Sequence, residues 1–354
     1  MKRFDYYKAA VCTPPVSIGD PKTNVDEMLR ILQSLDPDTQ LAVFPELAVT
    51  GYTCADLFYE ELLLQEAMTQ LIRLAENAPA NMAVIAGIPL KAGTRLFNAA
   101  AFLFGGHILG FYAKHHLPGY NEYYEPRWFS PARDLETETV SVNGCDIPVS
   151  GSIVFEDRTT GACIGIEICE DLWVAVPPSS AHAQAGANIL VNCSASNEVI
   201  AKGSYRRDLV AGQSARTYSS YLYCSAGPDE SSTDLVFSGA DIMAENGKIL
   251  QETATAESIT CELDLQHLHN DRMKFKTALQ ESRAGYTVVH YASATLQTVE
   301  LARTVEAYPF VPADLHRRLE RCETILGIQA QGLATRLKKI GCRQAVIGIS
   351  GGLD

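Results

Sequence analysis

Three observations predict a layered α/β protein whose sheets are covered by helices. Short apolar runs alternate with stretches of helical periodicity along most of the chain. Apolar residues make up 47% of the 354 positions and charged residues 20%, which permits a sizeable core and excludes wholesale disorder. The character of the sequence changes near residue 300, as expected for a chain of this length if a domain holds roughly 150 residues or more.

The elements follow in order. Lys8–Cys12 reads as a strand, and Thr23–Ser34 as a helix with Asn24 or Thr23 near its cap. Leu41–Phe44 is a short buried strand ending at Pro45, Asp56–Glu76 a long helical stretch, and Met82–Pro89 another strand. Ala99–Phe104 and His107–Ala113 form a hairpin around Gly105-Gly106. Ile153–Phe155 and Ala162–Ile168 are strands, Ala181–Ala185 is helical, Ile189–Asn192 is a strand and Tyr205–Tyr218 a helix. Tyr221–Ser225, Leu235–Ile242 and Lys248–Glu252 are further strands. Tyr308 to Pro312 is a proline-bracketed linker, and Asp314 caps a helix over Leu315–Ile340. The run Gln344–Ile349 reads as a strand opening onto Ser350-Gly351-Gly352-Leu353-Asp354. Residues 1–300 are therefore expected to form one domain, and 301–354 a linker with the truncated start of a second α/β domain.

Lysine and arginine number 29 against 42 acids, for a net charge of −13. Such a surface excludes sequence-independent nucleic-acid binding, which needs a basic footprint, but not a local nucleotide pocket. The N-terminus lacks the apolar stretch of a signal peptide, and no run is long enough to span a bilayer. The ten cysteines include no Cys-x-x-Cys pair, so no metal is expected here and most thiols are read as buried in a reducing, cytoplasmic compartment. Asn192-Cys193-Ser194 matches a glycosylation pattern formally but lies at the end of an apolar run with no secretion signal.

The segment Gly165-Ile166-Glu167-Ile168-Cys169-Glu170-Asp171-Leu172-Trp173 carries the most information. A strand ending in cysteine exposes the thiol at an elbow, and a following helix start aims N–H groups at a developing oxyanion. Alone, a cysteine after a strand is more often a buried structural thiol. Two other strands end in charge: Leu41 to Phe44 runs into Pro45-Glu46, and Phe111-Tyr112-Ala113 into Lys114. Each is ordinarily a solvated strand end. Together, Glu46, Lys114 and Cys169 are placed to meet on one edge of a sheet.

These three segments resemble the Glu-Lys-Cys triad of the nitrilase, or carbon–nitrogen hydrolase, superfamily. Glu46 through Gly51-Tyr52 and Asp56-Leu57-Phe58, the stretch Lys114 to Phe129 with Tyr120, Glu125 and Arg127, Ile168 to Trp173, and Ser194-Ala195-Ser196-Asn197 resemble one branch, the glutaminase half of glutamine-dependent NAD+ synthetases. Gly348-Ile349-Ser350-Gly351-Gly352-Leu353-Asp354 resembles the opening of the pyrophosphate loop of the synthetase half. The resemblance covers nearly the whole chain, with both motifs in the family's order.

The resemblance implies a nitrilase-like four-layer α-β-β-α sandwich that hydrolyses the L-glutamine side-chain amide. Cys169 is the nucleophile, Glu46 the proton carrier and Lys114 the source of positive charge, with Glu125 and Glu170 in support. His115 and His116 adjoin the lysine, but alternation along a strand makes His115 a poor base. Tyr120, Tyr52, Ser196 and Lys202 are implied to hold the glutamine, Lys202 through its α-carboxylate. Some members of the family carry arginine in this stretch. A lysine binds as a point charge and not as a fork, which leaves Arg206 and Arg207 as alternatives. Asp171 and Trp173 are expected to fix the elbow rather than touch substrate. The glutaminase needs no cofactor. The synthetase half implied for the full-length chain uses ATP, magnesium and nicotinic acid adenine dinucleotide, with Ser350, Gly351, Gly352 and Asp354 as part of its ATP site, incomplete here. The family also implies a homo-oligomer and ammonia passed between the two halves. Two other readings are a free-standing amidase acting on another small amide, and a non-catalytic scaffold; the scaffold predicts a degraded triad.

Overall fold

The computed structural model describes residues 6–275, 277, 279, 282–294, 301–305, 307–308, 310–348 and 351. The chain divides into two compact units, Met1–Ala302 and Arg303–Asp354.

The first unit is built on two sheets. One has eight strands: β1 (Tyr6–Cys12), β2 (Leu41–Val43), β3 (Ala83–Ala92), β4 (Arg95–Phe104), β5 (His107–Ala113), β6 (Thr139–Val142), β7 (Cys145–Ser150) and β14 (Ser258–Asp264), in the order β14-β1-β2-β3-β4-β5-β7-β6. The other has seven: β8 (Ile153–Asp157), β9 (Cys163–Ile168), β10 (Ile189–Ser194), β11 (Ser220–Ser225), β12 (Asp241–Glu245), β13 (Lys248–Thr253) and β15 (Thr287–Tyr291), in the order β13-β12-β11-β10-β9-β8-β15. Val11, Val43, Ile85 and Phe102 of the first sheet share a core with Phe155, Ile166, Val191 and Leu222 of the second. Phe102 and Phe155 stack across this seam at 4.2 Å between ring centroids.

Helices cover the outer faces. α1 (Pro21–Ser34) and α2 (Glu61–Asn77) bury Val25, Met28, Leu71 and Leu74 against Ala10, Val84 and Ala101. α3 (Pro178–Gln184) and α4 (Lys202–Thr217) flank the second sheet, where Ala183 is buried and Val210 packs on Tyr221 and Tyr223. The layers are therefore helix, sheet, sheet, helix, since each sheet is apolar on both faces and each helix on one. α5 (Leu265–Lys274) follows β14 and is capped by Asp264, whose carboxylate accepts from His267 N.

Several expectations are corrected. Asp20 caps α1, accepting from Thr23 N and Oγ1, while Asn24 is buried and donates to Ser17 and Val49 carbonyls. The stretch from Asp56 is a 3-10 turn, Ala55–Tyr59, that breaks at extended Glu60 before α2 begins. Leu235–Ile242 is not one strand: β12 starts at Asp241, because Leu235 and Phe237 are buried in a separate cluster with Tyr52 and Tyr123. In the second unit α6 (Leu315–Lys339) starts at Asp314, whose side chain accepts from Arg317 N. Residues 344–348 form no strand; no other described strand supplies the ladder they would need. Ile349, Ser350, Gly352 and Asp354 lie outside the described residues, and Gly351 lies in a bend.

Candidate active site

The parallel pairing of β1, β2 and β3, with β5 running the same way two strands further on, sends the chain after β2 and after β5 to one end of the first sheet. β9, β10 and β11 are likewise parallel in the second sheet. The ends of β2, β5, β9 and β10 deliver Glu46, Lys114, Cys169 and the Ser194–Asn197 segment to one place. Two sharp turns finish the delivery. Leu47, just after Glu46, has φ 51°, and Cys169 has φ 42°, both left-handed and neither glycine, a strain that persists only when the surroundings enforce it. Cys169 opens a 3-10 turn, Cys169–Leu172, so the helix start expected after the thiol is a single turn. Asp171 holds that elbow, accepting from Ile168 N, His116 N and the Tyr112 hydroxyl. Asn192 accepts from Cys169 N.

Glu46 and Lys114 are fully buried and Glu125 is 1% exposed. Lys114 Nζ donates to Glu46 Oε1 (2.6 Å) and to both Glu125 oxygens (2.7 and 2.9 Å). Glu46 Oε1 also accepts from Asn98 Nδ2 (2.7 Å), and its Oε2 from Ala195 N (2.8 Å). A carboxylate has about four lone-pair sites. Among the described residues these three donors occupy two on Oε1 and one on Oε2, which leaves Oε2 one site for an incoming proton. Glu125 accepts as well from the Tyr52 hydroxyl (2.9 Å) and Asn98 Nδ2 (3.3 Å).

Two buried carboxylates thus share one ammonium. Burial pushes the Glu125 carboxyl up to about 7, Lys114 pulling against it and Glu46 adding to it. Burial disfavours the Lys114 charge, yet Glu125 and Glu46 outweigh it and hold its pKa well above the usual lysine value. The Cys169 thiol is pushed up to about 12, chiefly by burial, then by Glu46, with Lys114 and the Ser194 side chain opposing. At rest it is a neutral thiol within the field of Glu46, Lys114 and Glu125.

A cavity of about 460 Å³ opens onto Cys169, walled by Tyr120, Glu122, Tyr123, Glu170, Trp173, Ser196, Asn197, Lys202 and Tyr205 among others. Tyr120 donates to Glu170 Oε2 at 2.8 Å. Burial raises the Glu170 carboxyl and Tyr120 works against it. Ser196 is 1% exposed and its Oγ has no hydrogen-bond partner among the described residues. Lys202, the first residue of α4, donates to Asn197 Oδ1 and lies 5.1 Å from the Trp173 ring centroid. Burial lowers its pKa.

Residues 8–272 match the carbon-nitrogen hydrolase family. The chain belongs to that family. This carbon-nitrogen hydrolase is 34% identical over 363 residues to the glutamine-dependent NAD(+) synthetase of Mycobacterium bovis, covering 99% of this chain and 53% of the relative. It is 27% identical over 350 residues to the synthetase of the same name from Thermotoga maritima, covering 96% and 54%. The chain thus spans about half the length of these relatives. In its fold it is similar to the crystal structure of a glutamine-dependent NAD(+) synthetase from Cytophaga hutchinsonii, with a TM-score of 0.65 and 26% identity over 73% of this chain and 42% of that one. It also shares its fold with an amidase of the nitrilase superfamily from Nesterenkonia AN1, at a TM-score of 0.60 and 18% identity over 78% of this chain and 97% of that one.

Of the residues read from the sequence, the hydrolase brings Glu46, Lys114 and Glu125 into one bonded cluster, with Cys169 in its field, and places Tyr120, Glu170, Ser196 and Lys202 on the cavity wall. Tyr52 belongs to the buried cluster and not to the cavity wall: its hydroxyl donates to Glu125. Trp173 does line it, whereas Asp171 is committed to the elbow. Arg207 pairs with Glu252 away from the site, and buried Arg206 is engaged by Glu198. His115 faces the Gly151 carbonyl. The sequence reading missed Asn98, Asn192, Glu122 and Tyr123. The first two carry a signal in retrospect: each is an amide inside an otherwise apolar buried strand, where an unpaired amide would be costly.

Proposed function

We propose that this chain is the glutaminase half of a glutamine-dependent NAD+ synthetase. The observation that carries this reading is the meeting of Glu46 and Lys114 in one buried cluster whose charges act on Cys169, beside a cavity with room for an amino acid. Similarity over nearly its full length to synthetases of that name supports it.

Cys169 Sγ attacks the side-chain amide carbon of glutamine while its proton passes to the open site on Glu46 Oε2. A neutral thiol needs this concerted transfer, because its high pKa leaves almost no free thiolate. Lys114 and the Glu170 N–H at the start of the turn stabilise the oxyanion, and one such fixed donor is typically worth about 3–4 kcal/mol. Glu46 returns the proton to nitrogen, the C–N bond breaks and ammonia leaves the thioester. Water then attacks, its proton goes by Glu46 to the departing sulfur, and glutamate is released. Lys202 binds the α-carboxylate of glutamine, with Ser196 and Tyr120 around the remaining polar atoms. In the full-length protein the ammonia is used by a synthetase half that needs ATP, magnesium and nicotinic acid adenine dinucleotide. We place the protein in the cytoplasm as a homo-oligomer.

The test is ammonia release from L-glutamine compared with asparagine, acetamide and propionamide. Preference for glutamine by a factor of 100 or more in kcat/KM, a gap of about 3 kcal/mol, is expected. Equal rates on the simple amides would favour a free-standing amidase, and no release from any of them would sink the hydrolytic reading.

A further inference from the structure

We propose that Asn98 is a positioning residue of the reaction, the donor that keeps the two buried carboxylates in register so that Glu46 Oε2 alone faces the thiol proton. The inference rests on the hydrolytic reading above for its kinetic readout, and on geometry alone for its second readout.

Asn98 sits in β4, fully buried, in the apolar run Arg95–Phe104. Its backbone carbonyl accepts from Lys114 N, which ties it to the end of β5. Its Nδ2 donates to Glu46 Oε1 at 2.7 Å and to Glu125 Oε2 at 3.3 Å. The orientation of the amide follows from those partners: turned over, its oxygen would face two carboxylates and lose both bonds. With the nitrogen inward, Oδ1 is left buried without a partner among the described residues. A leucine of nearly the same volume would fill this strand position without that unsatisfied acceptor. What the amide adds is two donors aimed at the catalytic carboxylates.

Those donors have a specific effect on the proton count. Glu46 Oε1 is closed by Lys114 and Asn98 together. Without Asn98, Oε1 regains an open lone pair, so a proton arriving at Glu46 has a second place to rest, away from sulfur. A donor also favours the charged form of the carboxylate it serves, so its loss makes the pair easier to protonate. The groups that bear on this pair include Lys114 after β5, Glu125 itself in a 3-10 turn, Cys169 after β9, Cys193 in β10, and the Tyr52 and Tyr123 hydroxyls. Glu170, in the turn that Cys169 opens, acts on Glu125 and Lys114. None of the others is a neutral donor to both carboxylates.

The experiment compares wild type, Asn98→Leu and Asn98→Asp in two assays across pH 5–9. One is glutamine hydrolysis; the other is the rate of iodoacetamide alkylation of Cys169, followed on its own peptide by mass spectrometry, which needs no turnover. In Asn98→Leu, kcat should fall at least tenfold with KM for glutamine within about twofold, and the acid limb of both profiles should move up by about one pH unit, the worth of a donor to a charged group. Asn98→Asp, with an acceptor in place of the donor, should move the limb further in the same direction. Unfolding temperature of Asn98→Leu should stay near wild type. Unmoved acid limbs in both variants overturn the proposal, and so does a loss of activity that follows a loss of folded protein or a rise in KM. If wild type hydrolyses no amide but the alkylation limb still moves, the functional reading fails and the positioning role stands.

Discussion

Replacing Gly87 by alanine tests whether the fold places Glu46 as tightly as the chemistry requires. Gly87 lies in β3 against the Pro45-Glu46-Leu47 turn, and its N–H and C=O are bonded to Pro45 O and Val49 N. An ideal Cβ there would lie 2.1 Å from Leu47 N, 2.5 Å from Pro45 O and 2.7 Å from the Glu46 carbonyl carbon. All three neighbours are backbone, so no side chain can swing aside. Restoring an ordinary 3.4 Å contact pushes the turn away by about 1.3 Å, and a misplacement of this size costs on the order of 100-fold in rate. The same crowding should destabilise the domain by about 1–3 kcal/mol. The assay is steady-state ammonia release, with kcat normalised to the folded fraction measured by circular dichroism at the assay temperature. KM should change little, since Tyr120, Ser196 and Lys202 stand on other elements. A folded Gly87→Ala enzyme with wild-type kcat would refute the reasoning, because it would mean that the position of the Glu46 turn does not limit the chemistry.

Other perturbations have equally definite outcomes. Cys169→Ala and Glu46→Gln should each lower glutamine hydrolysis by at least about 100-fold, from loss of the nucleophile and of the proton carrier, read as ammonia release. Lys202→Ala should raise KM for glutamine about 10- to 100-fold with a smaller effect on kcat, while Arg207→Ala, paired to Glu252 at the surface, should change neither. Asp241 is buried, bonded to Ser225 N and Thr13 Oγ1, and burial pushes its carboxyl from 3.8 to about 7. The native state therefore holds this proton more tightly than the unfolded chain, so its contribution is full below about pH 4 and is lost as pH rises through about 7, up to about 4 kcal/mol in all. Asp241→Asn should flatten that part of the stability–pH curve, gaining on wild type between pH 5 and pH 8 in denaturant titrations.

The parts of the site legible in the residue pattern alone share one property, that each is a charged or nucleophilic residue at the end of an apolar run, whereas Glu125, Tyr120, Ser196 and Lys202 were reached only through the family resemblance. Glu46 against Pro45, Lys114 after Tyr112-Ala113 and Cys169 after Ile168 break a β pattern, and a broken pattern is visible without coordinates. Central strands were legible for the same reason. The edges were not. β14 and β6 alternate polar and apolar residues, and β14 and β15 acquire their meaning from partners far along the chain: β14 from β1, and β15 from β8. The run from Leu235 shows the converse failure, where apolar residues that look like a strand serve instead to bury Tyr52 and Tyr123. Asn98 was hidden because one amide in a ten-residue apolar strand looks like noise until its two carboxylate partners are in place.

The hydrogen-bond count at Lys114 also constrains how the oxyanion of the proposed reaction can be met. An ammonium has three N–H groups, and here one serves Glu46 and two serve Glu125. The oxyanion cannot be added as a fourth acceptor, so one existing bond must be exchanged for it. Releasing Glu46 would uncouple the base from its counter-charge at the moment it receives a proton. Glu125 is the suited partner: it holds two of the three bonds, and after losing one it keeps Tyr52 and Asn98 as donors. The exchange replaces one anionic oxygen by another around a fixed cation, so the buried charge near Lys114 is redistributed and no water need reorganise around it. On this account Glu125 reserves the Lys114 donor in the resting enzyme and yields it in the transition state, which explains why a cluster this deeply buried contains two carboxylates for one ammonium.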